Sequence, residues 1–268
     1  MAVGFRCFFL FCVLVFIPFT GFSQFLFPEG FVLIPLDTNQ HYAGSFAGSF
    51  SSQTQKEVVN QFSGRAEVAI RLKKNILTLA NNTQIITNGN TTVISGGYLF
   101  ARFRKDITRS LYPEYFAQYQ WLEARGLQSK ISGTANMRKR IYRDTTLSLA
   151  AGAGFLLEYE KWNYDGVPTE RLPINTNPVE VINPRFNCYF SYDHFINNTI
   201  TIDAAVYYYL RVLPSLSNPR LGAHTRFGYR INKNLSYNLT LRVMNDYNPV
   251  VPVNELWYNF INELVFNF

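Results

Sequence analysis

The stretch Phe62–Leu72, FSGRAEVAIRL, decides the fold. Phe62, Gly64, Ala66, Val68, Ile70 and Leu72 are uncharged and mostly apolar. Ser63, Arg65, Glu67 and Arg71 between them are polar or charged, and only Ala69 departs. Successive Cβ atoms of an extended chain point to opposite sides, so a period of two makes a strand with one greasy face and one charged face. The same pattern recurs about twelve times between Tyr42 and Phe268.

Read in order, strands are expected near Tyr42–Ser51, Phe62–Leu72, Ile76–Thr87, Thr91–Arg104, Tyr115–Glu123 and Lys130–Arg140. The second half adds Leu147–Glu160, Asn183–Tyr192, Thr199–Arg211, Arg220–Ile231, Leu235–Met244 and Leu256–Phe268. Asn88-Gly89-Asn90 has the composition of a hairpin turn. Short connections at Lys73, Tyr142, Asn197 and Asn232 alternate with longer ones at Gln53–Glu57, Lys161–Val179, Pro214–Pro219 and Pro249–Glu255. Short turns on one side and longer loops on the other are how outer-membrane barrels are built. The expectation is an all-β, closed antiparallel transmembrane up-and-down β-barrel of about twelve strands over residues 42–268, with ten strands as the smaller alternative.

Residues 1–23 carry one cation, Arg6, then an apolar run from Phe8 to Phe19 and a Gly21-Phe22-Ser23 end. That is the pattern of a cleaved signal peptide. Pro18, Thr20 and Gly21 cut the run short of the ~20 residues a spanning helix needs. Cys12 follows Phe9, Leu10 and Phe11, which lack the small residue of a lipoprotein site. Residues 24–41 form an apolar, proline-containing lead-in. Once the signal leaves with Cys7 and Cys12, Cys188 has no partner within the chain, so a disulfide framework is excluded.

Alternation alone leaves open which face is outside, since a soluble lipocalin-like barrel alternates too, with its apolar side inward. Strands of ten or more residues match a tilted bilayer crossing. The apolar parity also carries Gly and Ala, too small to fill a wide twelve-strand interior. The last strand ends on the alternating set Tyr258, Phe260, Leu264, Phe266 and Phe268. An aromatic terminus of this kind resembles the closing signal read by the outer-membrane barrel assembly machinery. Outer-membrane lipids and that machinery are the expected partners, in a Gram-negative envelope.

The chain of 268 residues has a formal charge of +7, with 47% hydrophobic and 16% aromatic residues. Its arginines are spread over many strands rather than gathered in a run, which argues against nucleic acid. With the greasy parity toward lipid, the lumen receives Arg65, Glu67, Arg71, Arg138, Glu158, Glu160, Arg185, Asp203, Arg211, Arg220, His224, Arg226, Arg230 and Arg242. Two readings follow. An open electropositive lumen would pass small anions, whereas Arg–Glu and Arg–Asp pairs would fill a closed one. Eight strands fill with side chains and sixteen leave a pore, and twelve lies between.

A membrane lipase needs a nucleophile beside a base. The chain has three histidines: His41 precedes the first strand, His194 sits beside a short turn, and His224 shares the lumen parity of Arg220 and Arg226. Its neighbour Thr225 points the other way, and a hydrogen-bonding role for His224 is the simpler reading. No metal-ligand spacing and no glycine-rich phosphate loop occurs, so no cofactor is expected. Tyr207, Tyr208 and Tyr209 read as an interfacial aromatic belt together with Tyr115, Tyr119 and Trp121, more simply than as a sugar patch.

The segments PEYFAQYQW (Pro113–Trp121), Gly126-Leu127, MRKRIYRD (Met137–Asp144) and LSLAAGAGFLLEYE (Leu147–Glu160) resemble the salt-stress-induced outer-membrane protein family (YdiY-like). The resemblance is specific in the middle third and extends in outline over Tyr42–Phe268. It implies an outer-membrane barrel of unassigned function and no catalytic residues. With the composition, it makes a non-enzymatic envelope structural or stress role the first expectation and anion passage the second.

Overall fold

The computed structural model describes residues 41–54, 57–197, 199–212 and 217–268. The expected signal peptide, Cys7, Cys12 and all of the lead-in but His41 lie outside them. Among the described residues the chain forms twelve strands: β1 (Tyr42–Thr54), β2 (Val58–Leu72), β3 (Asn75–Asn88), β4 (Thr91–Arg104), β5 (Leu111–Leu122), β6 (Leu127–Arg143), β7 (Leu147–Trp162), β8 (Val179–Phe195), β9 (Ile200–Arg211), β10 (Ser217–Arg230), β11 (Leu235–Asp246) and β12 (Leu256–Asn267). Each pairs antiparallel with its sequence neighbours, and β1 pairs with β12, so the sheet closes into a barrel. Closure joins the two edges that an open sheet would leave, and a free edge is what hydrocarbon cannot tolerate.

Period two sets the faces. On β1, Tyr42, Phe46 and Phe50 are exposed while Ser45 and Ala47 are buried; on β7, Phe155 and Leu157 are exposed while Glu158 and Glu160 are buried. The apolar side therefore lies outside and the charged side inside, the reverse of a soluble barrel. Tyr258, Leu264, Phe266 and Phe268 are exposed on the outer face, and Phe260 is half-buried there.

Several strands run beyond the spans that alternation marked. β5 begins at Leu111 because Pro113 does not break it. Pro113 stays in register opposite Met137, and its carbonyl accepts from the Lys105 N–H at 3.1 Å. β6 and β8 likewise extend to Leu127 and Val179, which narrows the long loop to residues 163–178.

The connections after β2, β4, β6, β8 and β10 gather at one end with Tyr42 and Phe268, the turn end. Those after the odd strands gather at the other, the loop end. Lys73 and Gly89 take positive φ in the tight turns after β2 and β3, 59° and 57°, where the chain must reverse within two residues.

Tyr207 and Tyr209 correct the belt reading. Both are buried in the lumen with rings stacked 6.2 Å apart, and only Tyr208 of the three faces out. Strand alternation places neighbours on opposite sides, so three consecutive tyrosines cannot share one face. Tyr115, Tyr119 and Trp121 do face outward, with Tyr119 and Trp121 stacked at 5.7 Å.

Candidate functional site

The lumen holds the only dense array of chemistry-bearing side chains among the described residues, and most are paired across it. Nearest the loop end, Glu158 of β7 meets Lys130 of β6 at 2.5 Å, Arg185 of β8 at 2.8 Å and Arg220 of β10 at 3.2 Å. Lys130 also holds Glu160 at 3.0 Å, and Arg220 reaches Asp246 of β11 at 2.8 Å. This lattice joins six neighbouring strands, β6 to β11, and cuts across the lumen where Arg220 of β10 reaches Glu158 of β7. Its members are nearly sealed from solvent, Arg185 at 1% exposure and Glu160 at 0%.

Deeper in, Glu114 of β5 accepts from Arg104 Nε at 2.5 Å and from the Tyr189 hydroxyl at 2.9 Å. Arg138 donates to the same hydroxyl at 3.1 Å and to Ser191 at 2.9 Å. On the neighbouring strand, Asp203 of β9 accepts from Arg226 Nε at 2.7 Å and lies 3.1 Å from His224 Nε2. Arg65 meets Glu67 at 3.7 Å and Glu263 of β12 at 2.8 Å. Arg242 is buried in the same lumen. Arg71 and Arg211 are half-buried near the strand ends, and Arg230 is exposed at the turn end.

A second closure sits above the lattice. Leu122, Leu127 and Trp162, at the loop ends of β5, β6 and β7, pack with Val167, Val251 and Val253 in one buried cluster. The loop bearing Val251 and Val253 joins β11 to β12, which lie across the ring from β5–β7. Contact between them therefore carries the loop over the mouth. Arg125 fastens it by donating to the Asn254 carbonyl at 2.8 Å, and Trp162 Nε1 donates to Glu160 at 2.9 Å, tying cap to lattice.

Sequence reasoning did not single out Arg102, Arg104, Glu114, Lys130, Asp246 or Glu263. All share the inward parity of their strands, so strict extension of the alternation finds them. The cap residues carried a fainter signal: NPVVPVN (Asn248–Asn254) is apolar for a surface loop.

His224 and Asp203 have the spacing of a base and its orienting acid, but the ring's other nitrogen faces the Tyr207 hydroxyl at 3.4 Å. Both groups are buried, and Thr225 points outward. What the lumen can do chemically is hold opposite charges together out of water, with each partner supplied by a different strand.

The protein is thus a closed twelve-stranded antiparallel barrel with an apolar exterior and an ion-paired interior. No family model and no curated protein matches the chain. Among solved structures it is similar to the NanC porin at 7% identity, over 84% of this chain and 97% of that one, with a TM-score of 0.46. It is similar to the translocator domain of the autotransporter NalP from Neisseria meningitidis at 9% identity, 87% and 90% coverage and a TM-score of 0.49. For the KdgM porin, solved in complex with disordered oligogalacturonate, the figures are 9%, 85% and 98%, and 0.40. Residues are shared so thinly that no site can be carried over from these proteins.

Proposed function

We propose that this chain is a non-enzymatic outer-membrane β-barrel of a Gram-negative envelope, exported by a cleaved signal peptide, whose lumen is held shut and whose role is structural or stress-related. The outward apolar face supports the membrane location, because lipid takes the side that water would reject. The observation that carries the shut lumen is the lattice of Lys130, Glu158, Glu160, Arg185, Arg220 and Asp246 reaching from β6 to β11 beneath the Val251–Val253 cap. The alternating C-terminal set from Tyr258 to Phe268 supports insertion by the barrel assembly machinery. The resemblance of Pro113–Glu160 to the salt-stress-induced family belongs with the same reading. His224 lies buried between Asp203 and Tyr207, the place of a hydrogen-bonding residue of the lumen, which supports a non-enzymatic role.

The test is conductance of the purified, refolded barrel in planar bilayers. No steady current is expected; a stable, ohmic pore overturns the proposal. One feature favours a second reading, gated passage of small anions: Arg65, Arg226, Arg230 and Lys233 line the turn-end opening of the lumen. Openings whose reversal potential shows anion preference would support it, and cation preference would sink it.

A further inference from the structure

At the turn end, below the lattice, the barrel encloses a cavity of about 280 Å³ lined by β1, β2 and β8 to β12. Arg65, Arg226, Arg230 and Lys233 line it, and Glu67 is the one carboxylate in its wall. Two of the cations are already engaged, Arg226 by Asp203 and Arg65 by Glu263. Arg230 and Lys233 have no ion pair among the described residues, so positive charge remains after Glu67, Asp203 and Glu263 are set against the four. Arg65 and Arg226 are its buried cations, and Arg230 and Lys233 its exposed ones.

We propose that this cavity binds a phosphate-type oxyanion. Guanidinium and ammonium groups are the residues of choice for that chemistry. Ser45, Ser236, Thr201 and Asn238 add neutral donors to the wall. Together the wall offers more donors than the two oxygens of a carboxylate can take and suits the three or more of a phosphate. The lattice closes the cavity on the loop side, so the site is blind and filled from the turn end, which in an outer-membrane barrel is the periplasmic side. The occupant is therefore free phosphate or the phosphate of a lipid headgroup in the adjacent leaflet. The second source is within reach because Gly44, Ser45, Asn267 and Phe268, which form the β1–β12 seam, are part of the wall and have lipid on their other side.

The site does not depend on whether the lumen conducts, so its test is separate from conductance. Inorganic phosphate is titrated calorimetrically into the full refolded barrel in phosphatidylcholine nanodiscs, against sodium chloride of matched ionic strength. Binding is expected for phosphate alone. Arg230→Gln/Lys233→Gln changes two exposed side chains at a turn and should fold normally, shown by unchanged heat-modifiable mobility, while weakening phosphate binding about tenfold or more. No heat beyond the chloride control, or equal affinity in the double variant, overturns the proposal. Repeating the titration with phosphatidylglycerol in the discs separates the sources: suppressed phosphate binding identifies a headgroup, and unchanged binding identifies the free ion.

Discussion

Arg65 of β2 reaches past β1 to Glu263 of β12, with Nη1 2.8 Å from Oε1. The pair stands where the backbone seam ends. β1 and β12 are joined by two Gly44–Phe268 hydrogen bonds of 3.0 Å and by the register pairs Ser45–Asn267 and Phe46–Phe266. Beyond Phe46 no register pair joins them among the described residues, although β1 stays paired with β2 as far as Thr54. Ala47, opposite Arg65 on β1, is short enough to leave the guanidinium room to pass.

Closure of the seam thus leans on an ion pair, and Glu263→Gln should destabilise the barrel by about 1–2 kcal/mol, less than the ~3 kcal/mol of a fully orphaned buried charge because Glu67 stays 3.7 Å from Arg65. Urea unfolding in micelles, read by heat-modifiable mobility, measures this. In a double-mutant cycle with Arg65→Gln the coupling should exceed about 1 kcal/mol. Additive effects would show that the seam does not use the pair.

Two closures in series make a prediction about current. Deleting residues 250–253 removes Val251 and Val253 from the cap but leaves the lattice of Glu158 and Glu160 with Lys130, Arg185 and Arg220 intact. That deletion alone should therefore stay silent in bilayers. Adding Glu158→Gln and Glu160→Gln leaves cations facing one another across the lumen, and anion-selective openings should appear. Current from the loop deletion alone would place the barrier in the cap.

How far the chain could be read depends on what each strand carries. β2 and β7 were legible because one face is charged and the other is not. β3 and β4 blur: Asn81 and Thr83 sit on the outer face, while Tyr98 and Phe100 are buried inside. Alternation tells inside from outside and nothing more. That Arg220 would meet Glu158, 62 residues away, depends on which strands face each other across the ring and on their stagger. The same limit hid the Arg65–Glu263 pair and the cap, both of which join elements distant in sequence.

The turn after β6 should give the protein a measurable acid sensitivity. Asp144 accepts the Leu147 N–H at 2.6 Å, the Thr146 N–H at 2.7 Å and the Tyr142 hydroxyl at 2.8 Å. These bonds, the Leu147 one foremost, hold its carboxyl well below the usual carboxylate range. A depressed folded-state pKa contributes stability that is present above the unfolded value, about 4, and fades as pH falls toward the folded one. The wild type should therefore be more stable than Asp144→Ala at neutral pH. The gap should narrow steadily below pH of about 4 in paired urea titrations. A constant gap would mean that the aspartate acts by shape alone.

Two glycines one strand apart should respond in opposite ways to the same methyl group. Gly152 on β7 lies under the ring of Tyr189 on β8, its register partner, and a Cβ there would fall on the ring's Cε1 and Cζ. The ring cannot lift freely, because its hydroxyl donates to Glu114 at 2.9 Å and accepts from Arg138 at 3.1 Å. Gly152→Ala should therefore cost about 2 kcal/mol through overpacking and a disturbed polar network. Gly133 on β6 faces outward with nothing within 4 Å of an added Cβ. Gly133→Ala should be neutral or stabilise by about 0.5 kcal/mol, since it removes freedom from the unfolded chain and meets no obstacle. Equal effects at the two positions would mean that Tyr189 is not anchored in the lumen as its hydrogen bonds require.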